Sequence, residues 1–132
     1  MNKEIMEVRN SFEASSFFSL LGFNVVYMEE GNVKIKLPIT EQLLNANGTL
    51  HGGVHAAMLD TIMGMTIRSL SKTQCTTINL NVSYLNPFLE GEIYAIGRVI
   101  NQGYKIVAAE AELIDEEGNL HAKGVGTFKL FR

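Results

Sequence analysis

The chain has one cysteine, Cys75, in 132 residues, so no internal disulfide can form and a reducing cytoplasm is the expected setting. It also lacks a basic run: the eleven Lys and Arg are scattered and the formal net charge is −3. Nucleic acid needs a concentrated cationic footprint, so nucleic-acid binding is not expected. The opening Met1-Asn2-Lys3-Glu4 has neither the apolar core nor the small-residue cleavage site of a signal peptide. The longest apolar stretch, Gly52 to Leu70, is broken by His55, Asp60 and Arg68. It falls short of the roughly 18 uninterrupted apolar residues of a spanning helix, and no membrane partner is expected. Neither a Gly-x-x-x-x-Gly-Lys phosphate loop nor a Gly-x-Ser-x-Gly elbow is present. Gly124-Val125-Gly126 lies in a strand-like run that no helix follows, unlike a dinucleotide-binding turn. No internal repeat or low-complexity tract appears, which leaves no basis for a solenoid or a disordered chain.

What is present suits one ordinary core. With 46% hydrophobic and 19% charged residues, residues 1–132 are long enough for a single domain and too short for two. Residues 1–21 form an N-terminal flank: Asn2 to Leu21 holds neither Pro nor Gly and predicts one or two short helices ending at Gly22. Phe23 to Glu29 and Asn32 to Leu37 are β-favouring runs joined by Glu30-Gly31, a hairpin signal. Thr40 to Leu50 has turn chemistry. Residues 51–71, His51 to Ser71, then predict a central helix with almost no polar face, hence buried on most sides. Strands follow at Thr76 to Asn86, Glu92 to Asn101, Tyr104 to Asp115 and Leu120 to Phe131, with alternation clearest in Ile78-Asn79-Leu80-Asn81-Val82-Ser83-Tyr84. The connections Pro87 to Gly91, Gln102-Gly103 and Asp115 to Asn119 are short enough for antiparallel neighbours. The expected fold class is α+β, an antiparallel sheet of about six strands wrapped around one long helix.

Asp60 is the residue this pattern does not explain. It interrupts the most apolar helix, and a buried carboxylate must find a donor or shift its pKa, which marks functional sites. A structural Asp paired locally, or one facing a solvent channel, fits the pattern as well. Gly52-Gly53 opens the same helix, where free backbone N–H groups and the positive dipole end can hold an oxyanion. Two glycines can equally serve close packing under a sheet. Eight residues separate Gly52 from Asp60, roughly 12 Å of helix rise. One chain cannot bring both to a single reacting atom, so joint action requires a homodimer with two shared sites. His51 and His55 stand at the i, i+4 spacing used by zinc sites, yet no third ligand has a compatible spacing, and no metal is expected. Nothing adjacent activates Cys75, which reads as structural.

The segment Asn45-x-x-x-x-x-His51-Gly52-Gly53 followed by Asp60 and Gly64 resembles the signature of PaaI-like and 4-hydroxybenzoyl-CoA-type hotdog thioesterases. Asn81-x-x-Tyr84-x-x-Pro87 and the Gly118 to Gly126 ending extend the resemblance from about Gly22 onward. It implies a hotdog fold and hydrolysis of a small aromatic or short-to-medium-chain acyl-CoA, with coenzyme A part of the substrate and no separate cofactor. It further implies Asp60 as general base or nucleophile and the Gly52 N–H as donor to the thioester carbonyl, with Gly53 beside it. Asn45 and His51 would orient the thioester, and Thr77 would help hold the water. The turn Gly103, Tyr104 and Lys105, with Arg98 nearby, would take the nucleotide. In such a family the groups come from two subunits, and dimers can pair further. Two other readings remain: acyl-thioester dehydration or hydration, whose differently spaced motifs are absent, and a non-catalytic acyl-CoA-binding module, which has no need of Asp60.

Overall fold

In the computed structural model, which describes residues 2–132, Met1 of the expected flank and domain lies outside the described residues. Two helices open the chain, α1 (Lys3–Glu13) and α2 (Ser16–Leu21). Each is started by a side chain accepting from a free N–H, Asn2 from Ile5 and Ser15 from Phe18, as helix starts require. Gly22 ends α2 at φ 95°, a left-handed cap that favours glycine. Strands β1 (Asn24–Glu29) and β2 (Asn32–Pro38) form the expected hairpin. The helix α3 (Gly52–Ser71) follows, then β3 (Cys75–Tyr84), β4 (Glu92–Gln102), β5 (Ile106–Ile114) and β6 (Leu120–Leu130).

The six strands make one sheet in the order β1-β2-β4-β5-β6-β3, and every neighbouring pair is antiparallel. The sequence pattern mistakes one connection. Pro87 to Gly91 does not join neighbours: β3 lies on the far edge against β6, and β4 pairs with β2. Phe88 anchors that crossing, buried and edge-on to His121 at 5.0 Å. A short connection can span a sheet that curls around its helix, so length alone did not identify the partner.

Met58, Leu59, Ile62, Met63, Met65 and Ile67 of α3 are fully enclosed, as are Ile35, Leu37, Ile93, Ala95, Val107, Ala109 and Leu113 of the strands facing them. Each large side chain so buried contributes about 1.5–3 kcal/mol. The helix approaches β4 so closely that a Cβ on Gly97 would sit 2.6 Å from the Thr66 hydroxyl. The apolar helix is nevertheless not sheathed all round. Gly52, Ala56, Ala57, Asp60, Thr61 and Arg68 are only half-buried, and they leave an open stripe along the flank beside β3.

Candidate active site

His51 is the N-cap of α3, one residue outside the helix, and its Nδ1 accepts from the Gly53 N–H at 2.7 Å. The ring proton therefore sits on Nε2 at an exposed edge. This arrangement leaves the Gly52 N–H without a partner among the described residues, a free donor at the positive end of a 20-residue helix. Asn45 builds the turn in front of it. Its Oδ1 accepts from the N–H groups of Asn47 and Thr49, and its Nδ2 donates to the Thr49 hydroxyl at 2.9 Å. One Nδ2 hydrogen remains for a ligand. The loop returns on itself through the Leu44–Leu50 bridge, and the His51 N–H reaches the Leu43 carbonyl, so Asn45, His51 and Gly52 form one rigid corner.

Tyr84, at the far end of β3, closes this corner by donating its hydroxyl to the Gly52 carbonyl at 3.0 Å. Its ring leans on His55, 5.5 Å between centroids. His55 is buried with both ring nitrogens unpartnered, and burial, with His121 nearby, lowers its pKa and keeps it neutral. The two histidines thus part company, one exposed and capping the helix, the other buried under Tyr84.

Two turns along α3, Asp60 accepts from the Thr77 hydroxyl at 2.6 Å through Oδ1. Oδ2 has no partner among the described residues. The carboxylate borders a pocket of about 210 Å³ with Phe12, Thr61, Gly64, Arg68, Cys75 and Phe128. A carboxylate acceptor and a hydroxyl that can orient a water, beside an open pocket of mixed polar and apolar lining, suit proton abstraction. Cys75 is not a rival nucleophile: burial raises its thiol pKa, the Arg68 charge opposes this, and Asp60 adds to it. Among the described residues no three His, Cys, Asp or Glu side chains converge on a metal position.

Thr77 and Tyr84 both reach α3 although they are an odd number of residues apart, which a regular strand forbids. A β-bulge resolves this. The pairing of β3 with β6 skips between Thr77 and Asn79, leaving Ile78 exposed, so the helix-facing side is Cys75 and Thr77 before the bulge and Leu80, Val82 and Tyr84 after it. The alternation from Ile78 to Tyr84 thus holds only from Asn79 on.

The expected nucleotide residues are divided. Gly103, Tyr104 and Lys105 form the β4–β5 turn at the end of the sheet where β3 begins, with the Lys105 carbonyl bound by the Leu130 N–H and the Arg132 guanidinium over the Tyr104 ring. Gly103 is needed there, since a Cβ would fall 2.3 Å from the Ile106 carbonyl oxygen. Arg98 lies about 15 Å back along β4 and pairs with Glu110. Lys123 and Arg98 together hold the Glu110 carboxyl below the usual range. That cation is already matched and is not near the turn.

Arg68 and Tyr84 join the site without having been expected there, whereas Phe12 is one of the side chains whose apolar character already suited a pocket wall. Asp60, Gly64 and Arg68 recur every fourth residue, a helical-face spacing that could have linked them; Tyr84 carried no comparable signal. Of the apolar side chains whose character suits an acyl pocket, Phe12 lines the one beside Asp60, Phe18, Met58, Met63 and Met65 are core, and Phe17 is exposed.

Residues 47–122 match the family model described as Thioesterase superfamily. A candidate esterase of Saccharolobus solfataricus is 30% identical over 129 residues, covering 97% of this chain and 86% of that protein. Human acyl-coenzyme A thioesterase 13 is 29% identical over 129 residues, with 94% and 92% coverage. Among solved structures, a conserved protein of Pseudomonas aeruginosa aligns with a TM-score of 0.87 at 29% identity, covering 93% of this chain and 98% of that one. The PaaI protein of E. coli aligns at 0.91 and 20% identity, covering 98% and 94%, a likeness of fold.

Proposed function

From a chain that belongs to the thioesterase superfamily and is a thioester hydrolase of hotdog fold, we infer an acyl-CoA thioesterase whose active site is shared between two copies of the chain. The acyl group is small and aromatic or of short to medium length. The observation that carries this reading is the pair of unmet groups on one helix flank: the free Gly52 N–H and the free Asp60 Oδ2, eight residues apart along α3.

The edge strand β3 supplies the means of bringing them together. It is ten residues long, unpaired on its outer side, and exposes Ile78 and Tyr84. Thr77, bound to Asp60, and Tyr84, bound to Gly52, lie symmetrically about Asn81 once the bulged Ile78 is left out of the register. Antiparallel pairing of two β3 strands about a two-fold axis there sets Thr77 opposite Tyr84 of the partner subunit. Asp60 then faces Gly52 of the partner subunit, and the open stripe of α3 is covered.

In that site Asp60 Oδ2 takes a proton from a water that Thr77 helps hold. The water oxygen attacks the thioester carbonyl carbon, and the Gly52 N–H receives the oxygen that becomes negative. Asn45 and the Nε2–H of His51 orient the carbonyl from the same corner, and Gly53 leaves the approach clear. The carbon–sulfur bond breaks and the thiolate departs, accepting the proton from Asp60 or from solvent. A thiol pKa of about 8.5 makes it a good leaving group. The nucleotide end rests on Tyr104, Lys105 and Arg132. No cofactor takes part.

The test is Asp60→Ala assayed with a panel of aromatic and straight-chain acyl-CoA substrates, beside a solution mass measurement. Turnover should fall about 10²–10⁴-fold while the folded dimer survives. Unchanged hydrolysis would overturn the role of Asp60, and an active monomer would overturn the shared site.

A further inference from the structure

We propose that Arg68 selects the acyl group, and that the group it selects carries a carboxylate at the end remote from the thioester. This rests on the reading of Asp60 as the group that acts on the thioester, and adds the substrate class.

Arg68 borders the Asp60 pocket from eight residues further along α3, roughly 12 Å by helix rise. Helical side chains lean toward the N-terminus, so its guanidinium leans back toward Asp60. Gly64 stands midway between them, and a Cβ placed there would meet only the Phe12 ring, at 4.0 Å. Gly64 itself thus puts no side chain between the two charges, and the Phe12 ring walls the path from outside. The pocket's 210 Å³ is many times the roughly 10–15 Å³ that one water requires, which leaves room for a short acyl chain.

The guanidinium is held but not neutralised. It lies over the Phe12 ring at 5.1 Å and donates a long bond, 3.4 Å, to the Ser11 hydroxyl, while its buried Nε has no partner. Among the described residues no carboxylate lies within ion-pair distance of it, whereas Arg9 is paired with Glu13 and Arg98 with Glu110. A half-buried cation with an unmet donor is costly unless a ligand completes it. The planar fork fits a carboxylate through two parallel bonds. The opposite charges also set direction: a dicarboxylic monothioester enters with its free carboxylate at Arg68 and its thioester at Asp60, and the reversed chain would place two carboxylates together.

The experiment measures kcat/KM on the full chain for adipyl-CoA against hexanoyl-CoA and glutaryl-CoA against pentanoyl-CoA, in the wild type, Arg68→Met and Arg68→Lys. The wild type should prefer the carboxylated member of each pair by roughly ten- to a hundredfold. Arg68→Met should bring that ratio near one, and Arg68→Lys should keep part of it. A wild-type ratio near one, or a ratio unaltered in Arg68→Met, overturns the proposal and leaves Arg68 as packing for Phe12. Should Arg68→Met fail to fold, competitive inhibition of the wild type by hexanoate but not by the uncharged hexanamide supports the assignment, and equal inhibition sinks it. Asp60→Asn keeps the two readings separate. If that variant stays active, the role of Asp60 fails, while the wild-type ratio still reports on Arg68.

Discussion

The two edges of the sheet are built differently. The β1 edge is six residues long, is interrupted by a bulge between Val25 and Tyr27, ends in Glu29-Glu30 and has α1 beside it. The β3 edge runs for ten residues, with Asp60 hydrogen-bonded near one end and Gly52 near the other. Both edges carry a bulge, that of β3 at Ile78, so length and charge make the difference: a short edge ending in carboxylates is protected against pairing, and a long open one invites it. The edge that invites pairing is the one beside the free Gly52 N–H and the free Asp60 Oδ2, the two groups that the proposed shared site brings together.

That contrast can be broken by charge. Ile78→Glu appears twice in a self-paired β3 interface and should convert the dimer to monomer, lowering kcat/KM about 10²–10³-fold through loss of the oxyanion donor; sedimentation and initial rates check it. A dimer that persists with full activity would place the interface elsewhere. Tyr84→Phe removes only the bond to the Gly52 carbonyl. It should cost about 0.5–1.5 kcal/mol of stability, read by denaturant unfolding, and should loosen the corner that presents the Gly52 N–H, visible as faster amide exchange there.

Protonation sharpens the contrast further. Burial holds the His55 pKa below that of the unfolded chain, so stability is fully present above about pH 6.5 and declines as pH falls, because the unfolded state binds the proton first. His55→Phe should flatten this decline in urea titrations between pH 7 and 5. Asp115, in the β5–β6 turn, is held below the usual carboxylate range by the hydrogen bond from His121 and by the Asn119 and Glu117 donors. Its contribution persists until pH drops below about 3.9, so the corner under Tyr84 weakens before that turn does. The smallest effect belongs to the other edge: Val26→Glu in β1 should leave mass and activity unchanged and alter stability by no more than about 0.5 kcal/mol.

Composition and period determined a good deal alone. The run from Val54 to Ile67 demanded a buried helix, Glu30-Gly31 a hairpin, and Asp60 in that helix a chemical reason. Helix rise alone shows that Gly52 and Asp60 cannot meet at one atom within a chain, since rise per residue is a local property. Three things were decided only by tertiary structure. The crossing of β3 to the far edge depends on how the sheet curls, which short connections do not encode. The bulge at Ile78 turns both Thr77 and Tyr84 to the helix, and it arises from pairing with β6, where Thr77 lies opposite Phe128, far along the chain. Arg68 becomes part of the pocket because α1 brings Phe12 and Ser11 against it and no carboxylate arrives to neutralise it. Local spacing records what one helix or strand can present; which groups remain unmet depends on everything packed around them.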